Sequence, residues 1–517
     1  MIKLMKYYEN KYKIINKNKI RTKFVRIRGD FKLDKLYDVI IIGSGVVGNA
    51  IAREMSRYNL KIGVLEKELD VCNETSARNS GVLHAGFNNK PGTLMARFCV
   101  EGNQGFDEVA EELGVPFNRC GKLVVGFTEE DKQKLIAMKE QGEKNGVKGL
   151  EIIGREKIKE IEPHIDGEFA MWSKTTGILN PFLLTVALAE NAAQNGVDYY
   201  FANEVVDIER IDEVYNIKTV KDTYKTRWVV NAAGLYSDKV SKMLGIDDYT
   251  IHPCRGEYFI LDEKVGSKLS LPAYPVPNPK EGGLGIHLTP TIDGNVFIGP
   301  SSEYIDERDN YSATQKIMDL LIKDGGRIFP HIDRGDFIRN FSGIRPKLAS
   351  KEEGGYHDFG IERREEVPNT INLVGIESPG LTSSTPIAKY VVSLMKEKEE
   401  LTINENFNPI RKPIVTFVDK SIEEKEALIK ENPDYGEVIC RCQTITKAEI
   451  LQAINNPLGV ETLTGIKYRC RAMMGRCQGG YCETRIAGLV EEVKNKDRKD
   501  VLYSRENSNM FVGKVRD

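Results

Sequence analysis

A run of about 18 apolar residues, the length a membrane-spanning helix requires, occurs nowhere in this sequence. Bulk charge is missing too. Lysine and arginine number 74 against 76 acids, a net charge of −2. No broad field draws in nucleic acid or an anionic membrane, so any anion must be held by a local cluster. No internal repeat, low-complexity tract or nucleic-acid-binding pattern is visible. Histidine is scarce, with six residues, which shortens the search for a base active near neutral pH. The nine cysteines are odd in number, with four scattered and five between Cys440 and Cys482. That is unlike a secreted disulfide framework and fits a reduced, cytoplasmic protein carrying a metal site.

At 517 residues the chain exceeds what one hydrophobic core organises, so two or three domains are expected. Residues 1–36 carry twelve Lys or Arg against three acids and lack the apolar stretch of a secretory signal. They read as a basic N-terminal extension or an upstream start, with a transit peptide as the alternative.

The first motif is YDVIIIGSGVVGNAIAREMSRYNLKIGVLEKE. An apolar run meets Gly43-x-Gly45-x-x-Gly48, followed by a helical pattern and a second apolar run ending at Glu66. Gly43 permits a tight turn, Gly45 lets a pyrophosphate approach the backbone at a helix N-terminus, and Gly48 allows close packing. An acid in the place of Glu66 can bind both ribose hydroxyls of an adenosine and would repel a 2′-phosphate, which disfavours NADP.

Three further stretches, ETSARNSGVLHAG, WVVNAAGLYSD and INLVGIESPGLTSSTPIAKYV, recur in order along the chain. With the glycine motif they resemble the D-amino-acid oxidase family of FAD enzymes over roughly residues 37–400. The resemblance implies an α/β fold: a Rossmann-like FAD-binding domain of glutathione-reductase type and an inserted antiparallel-sheet substrate domain of α+β kind. It also implies FAD contacts from Ser76, Asn79, Ser80, Gly234, Gly380, Leu381, Thr382 and Ser383, the last four at the start of a helical pattern running from Ser383. Helix starts offer free N–H groups and partial positive charge, which suits an anionic reduced flavin; Ser383 and Ser384 could equally be N-caps.

Within that family, NSGVLHAGFNNKPGTLMARFCVEG and GIHLTPTIDGNVFIGP resemble L-2-hydroxyglutarate dehydrogenase and the flavin-dependent glycerol-3-phosphate dehydrogenases, enzymes that oxidise a secondary alcohol on an anionic substrate. The resemblance makes His84 the base and puts His287 in the pocket; a structural role for His287 is an equal alternative. His164, His252, His331 and His357 read as surface or structural residues. For the anionic group the candidate cations are Arg345 in FSGIRPKLA, Lys347 beside it and Arg255 in HPCRGEYF, because guanidinium forks match carboxylate and phosphate.

Near the C-terminus Cys440-x-Cys442 and Cys477-x4-Cys482 flank two short helical patterns, the first opened by the capping box Thr446-x-x-Glu449. Four thiolates suit zinc or an iron-sulfur cluster. The one-residue gap is unusual for zinc, and MMGRCQGGYC resembles the bacterioferritin-associated ferredoxin module, a helical 2Fe-2S domain. By that resemblance Cys440, Cys442, Cys477 and Cys482 are ligands and Cys470 is a spare thiol. Arg441, Arg469, Arg471 and Arg476 would offset thiolate charge.

The expected layout is FAD-binding segments at about 37–100, 161–250 and 346–400, a substrate domain at about 101–160 and 251–345, a connector at 401–438, the 2Fe-2S domain at 439–500 and a polar tail at 501–517. The expected activity is a dehydrogenase acting on a small anionic substrate, glycerol 3-phosphate before L-2-hydroxyglutarate before an amino acid. Electrons would pass from FAD through the cluster to an acceptor such as a second flavoprotein or a ferredoxin-like subunit, within an oligomer or heteromeric complex. A redox-inactive scaffold holding zinc is the competing class.

Overall fold

The apolar run from Leu36 forms the strand Leu36–Ile42, which lies inside an eight-stranded sheet. The computed structural model describes residues 36–277, 285–330 and 332–513, so residues 1–35 of the basic extension and His331 lie outside the described residues. Both neighbours of this strand are parallel to it: Val39 faces Ile62 and Trp228, and Ile42 faces Leu65 and Asn231. Strands covered on both faces are continuously apolar, and Val39, Ile40 and Ile41 are fully buried. The long strand Thr223–Asn231 takes an antiparallel partner, Val214–Thr219, at its start and a parallel one, Thr370–Val374, at its end. Helices Val46–Met55, Leu94–Gln104, Pro181–Gln194 and Gly380–Lys396 share one core with this sheet. Two of them begin where the sequence supplies caps: Thr93 accepts the Ala96 N–H, and Asn180 accepts the Leu183 N–H with Pro181 at the first helical position.

A second, nine-stranded sheet runs from Glu303–Tyr304 through His252–Leu261, Val296–Gly299, His287–Pro290, Ala273–Pro275, Lys122–Gly126 and Phe169–Ser173 to Leu150–Gly154. Phe337–Lys347 flanks His252–Leu261. The strand Phe169–Ser173 thus belongs to this sheet, although 161–250 reads from sequence as part of the first. Helix Phe106–Leu113 packs into the first core, although 101–160 reads as part of the second. Local apolar content does not say which sheet a short element joins.

The cysteine-rich module builds its own core from Ile450, Ile454, Leu463, Ile466, Ile486 and Val490. Its first helix, Lys447–Ile454, carries the reciprocal Thr446–Glu449 capping box. Phe182 and Tyr468 stack across its junction with the oxidoreductase part, centroids 4.7 Å apart, and the described residues from Leu36 onward form one compact unit. Residues 501–513 fold back instead of trailing: Val501 is buried in the module core, Leu502 bridges Asn509, and Arg505 pairs with Glu74 at 2.9 Å. A turn held by backbone pairing and ion pairs has no hydrophobic period to announce it.

Candidate active site

Gly43 has φ +105°, and a Cβ there would sit 2.6 Å from the Ala232 carbonyl oxygen; a Cβ on Gly48 would sit 2.1 Å from the Gly43 oxygen. Side chains are excluded, so the backbone itself forms the cradle. Gly45 caps helix Val46–Met55, and the Val46 N–H donates to Ser76 Oγ at 2.9 Å. Glu66 follows the strand Ile62–Leu65 and accepts the Ser44 and Glu68 N–H groups at 2.7 and 2.9 Å. Burial pushes its carboxyl up to about 7, against the pull of those donors. A closed glycine cradle, a helix N-terminus and an acid after the second strand fit the ADP half of FAD.

A cavity of about 740 Å³ opens beside this turn. Gly45, Ser76, Asn79, Ser80, Gly234, Gly380 and Leu381 line it, and so do His84, His287, Arg345 and Lys347. Gly43, Gly48 and Glu66 are not among the lining residues. Thr382 and Ser383 do not reach the cavity either. The helix starts at Gly380, not Ser383, which puts both hydroxyls inside its first turns. Thr382 Oγ1 accepts the His84 N–H at 3.0 Å, and the buried Ser383 hydroxyl has no partner in the structure. His164, His252 and His357 are not among the lining residues.

His84 follows the strand Val82–Leu83 and is pinned by its backbone, its carbonyl accepting from Cys99 Sγ at 3.4 Å. Burial, reinforced by Lys122, pushes its imidazole down to about 3, so the ring is neutral, with a free nitrogen lone pair, at physiological pH. His287 is 3% exposed, lies 3.0 Å from Thr289 Oγ1 through Nδ1, and stacks on Tyr274 with centroids 3.6 Å apart. Lys122, which sequence reading missed, is fully buried with no hydrogen-bond partner for Nζ and stands 3.4 Å from the centroid of the Tyr274 ring. Burial pushes its ammonium down to about 7. Its one sequence signal is a lysine opening the apolar strand Lys122–Gly126, where it passes for an edge charge.

The three candidate cations separate. Arg345 lines the cavity and donates from Nη2 to Ser301 O at 2.9 Å. Lys347 also lines it, but its ammonium is already held by Gly355 O at 2.8 Å and Glu377 at 3.0 Å. Arg255 is outside. Cys254 faces Arg345 across the strand pair, so alternation turns Arg255 to the opposite face, where it binds Glu303 at 2.7 Å and lies 3.6 Å from Glu257.

In the module the thiols interact most strongly in two pairs, Cys440 with Cys482 and Cys442 with Cys477. Cys442 and Cys477 are exposed, and Cys440 and Cys482 are buried. Among the described residues no three His, Cys, Asp or Glu are gathered closely enough for a single metal ion. Two thiol pairs fit a two-iron cluster, in which each iron takes two thiolates, better than one tetrahedral zinc. Cys470 is turned into its own helix, donating to Ile466 O at 3.3 Å. Arg469 and Arg471 are engaged with Asp70 and Asp293 rather than directed at the thiols.

The FAD dependent oxidoreductase family matches residues 38–394, and the BFD-like 2Fe-2S binding domain matches residues 438–492. Among curated proteins the chain is 40% identical over 481 residues to a glycerol 3-phosphate dehydrogenase of Caloramator mitchellensis, covering 92% of this chain and 98% of that one. It is 30% identical to the mitochondrial L-2-hydroxyglutarate dehydrogenase of Homo sapiens, covering 71% of this chain and 90% of that one. Among solved structures, the dithionite-reduced L-alpha-glycerophosphate oxidase of Mycoplasma pneumoniae with FAD bound superposes with a TM-score of 0.69 at 28% identity, covering 74% of this chain and all of that one.

Proposed function

We propose a substrate for this chain, which belongs to the FAD dependent oxidoreductase family and carries a C-terminal 2Fe-2S domain: sn-glycerol 3-phosphate, oxidised at its secondary alcohol to dihydroxyacetone phosphate. One observation carries the reading. A neutral histidine, His84, and a guanidinium, Arg345, line the same cavity as the segments fitted to FAD. The relative from Caloramator supports the choice among anionic alcohols.

The oxidation removes one hydride from carbon and one proton from the hydroxyl. FAD bound in the cavity supplies the two-electron acceptor, and a cluster on the four cysteines supplies a one-electron outlet. His84 takes the hydroxyl proton, Arg345 holds the phosphate through its donor fork, and His287 stacked on Tyr274 shapes the wall. Lys347, paired with Glu377, borders the substrate space without a free charge.

Electrons leave where Cys442 and Cys477 are exposed, beside the exposed side chains of Arg441, Arg476, Tyr481 and Arg485. A second flavoprotein or a ferredoxin-like subunit docking on this basic face would complete an oligomer or heteromeric complex. No helix among the described residues is long and apolar enough to cross a membrane. Nine cysteines, none of them in a disulfide among the described residues, suit the reducing cytoplasm.

The test is anaerobic mixing with sn-glycerol 3-phosphate, read as bleaching of the flavin absorbance. Bleaching by L-2-hydroxyglutarate alone would transfer the assignment to that acid.

A further inference from the structure

A second cavity, of about 210 Å³, lies against the first, with Arg78, Asn79 and Ser80 lining both. Its other walls come from the FAD-binding part around Asn180 and Phe182, the second sheet, the cluster module and the folded-back C-terminal segment, so the docked module closes it. Five basic side chains line it: Arg78, Arg339, Lys467, Arg471 and Arg505.

Two of those cations are neutralised in place: Arg471 by Asp293 and Arg505 by Glu74. Three are not. Lys467 is 9% exposed and makes no hydrogen bond or ion pair with any described residue. Arg339 donates from Nη1 to the neutral Gln478 Oε1 at 3.0 Å. Arg78 reaches the Ser342 carbonyl only at 3.5 Å, and its Nε is buried without a partner. The Glu483 carboxylate acts on Lys467 and Arg339 through space and bonds to neither. Burial, with Arg339 and Arg78 adding repulsion, pushes the Lys467 ammonium down to about 7. Lys467 is buried, Arg78 half-buried and Arg339 exposed, and none of them has a bonded counter-ion; a buried charge left so is costly, and an anion among them removes that cost.

We propose that this second cavity binds a phosphate-type oxyanion, held by Arg78, Arg339 and Lys467, either as inorganic phosphate or as the phosphate group of a small ester. Guanidinium forks and a mobile ammonium are the donors such a group requires. The volume leaves room beside the phosphate for a few further atoms. The site stands apart from the substrate reading, because none of the three cations is assigned to catalysis.

Calorimetric titration of the FAD- and iron-loaded full-length protein with inorganic phosphate reads both cavities. Arg345→Ala silences the first and should leave one phosphate site intact. Adding Lys467→Gln or Arg339→Gln should weaken that remaining site by about tenfold or more, since hydrogen bonds to charged groups are worth at least a decade in affinity. Repeating the Arg345→Ala titration with glycerol 3-phosphate separates the sources, the tighter ligand naming the occupant. In the unmutated protein, phosphate should slow reductive methylation of Lys467, measured on its peptide by mass spectrometry, which keeps the proposal testable where a variant fails to fold. Loss of all phosphate binding in Arg345→Ala, or unprotected Lys467, overturns it. Failure of the substrate reading alone would show as an unbleached flavin with phosphate binding intact.

Discussion

Arg469 of the cluster module forks onto Asp70 of the FAD-binding part, with Nη1 2.7 Å from Oδ2 and Nη2 3.1 Å from Oδ1, and both residues are buried. Its Nε reaches Glu190 at 3.1 Å, and the other Glu190 oxygen takes Arg411 at 2.8 Å. Two cations and two anions thus alternate across the junction. Each charge is compensated by partners from another part of the chain, so the module is fixed in place.

Arg469→Met should therefore strand Asp70 and destabilise the protein by about 3–5 kcal/mol, the usual cost of leaving half of a buried pair. Denaturant unfolding of the full-length protein measures it. Arg469→Met with Asp70→Leu should recover part of the loss; equal stability of single and double variants would remove the pair from its docking role.

His84→Ala should slow anaerobic flavin reduction by about 10²- to 10⁴-fold, the usual share of a general base. Because the folded imidazole is held down to about 3 while an unfolded histidine titrates near 6.5, only the unfolded chain takes up this proton between those values. Stability from this group is present above pH 6.5 and is lost as pH falls toward 3. Unfolding midpoints of wild type and His84→Asn across pH 4 to 7 should converge on the acid side. Parallel curves would mean that His84 is not held neutral.

Arg345→Ala and Arg255→Ala should fail in different ways. The first should raise KM for the phosphate ester, by a margin corresponding to about 2–5 kcal/mol, with folding unaffected. The second strands Glu257, which is fully buried, and should cost about 3–5 kcal/mol of stability with KM retained in the folded fraction. A raised KM in Arg255→Ala would place it at the substrate after all.

Cys440→Ser or Cys477→Ser should lower bound iron while FAD stays, because the module has a separate core. Cys470→Ser should retain iron, its thiol being spent on Ile466 O. Iron assay with the visible spectrum decides; iron lost with Cys470 and kept without Cys482 would redraw the ligand set.

What the sequence alone determined is local. The glycine turn, Glu66 after its strand, the Thr446–Glu449 box and the two short cysteine spacings, 440 to 442 and 477 to 482, all express constraints that act within a few residues, where sterics and hydrogen bonds leave one solution. Tertiary structure decided the rest. Whether Arg255 or Arg345 meets the substrate depends on the register of two strands distant in sequence, since one residue of alternation sends a side chain to the other face. Lys122 looks like an edge charge until the Phe87 and Tyr274 rings, from other segments of the chain, close over it. Arg469 looks like a partner for thiolates until Asp70, about 400 positions earlier in the chain, claims it at the docked junction. Burial and pairing are properties of what surrounds a charge, and those surroundings come from remote parts of the chain.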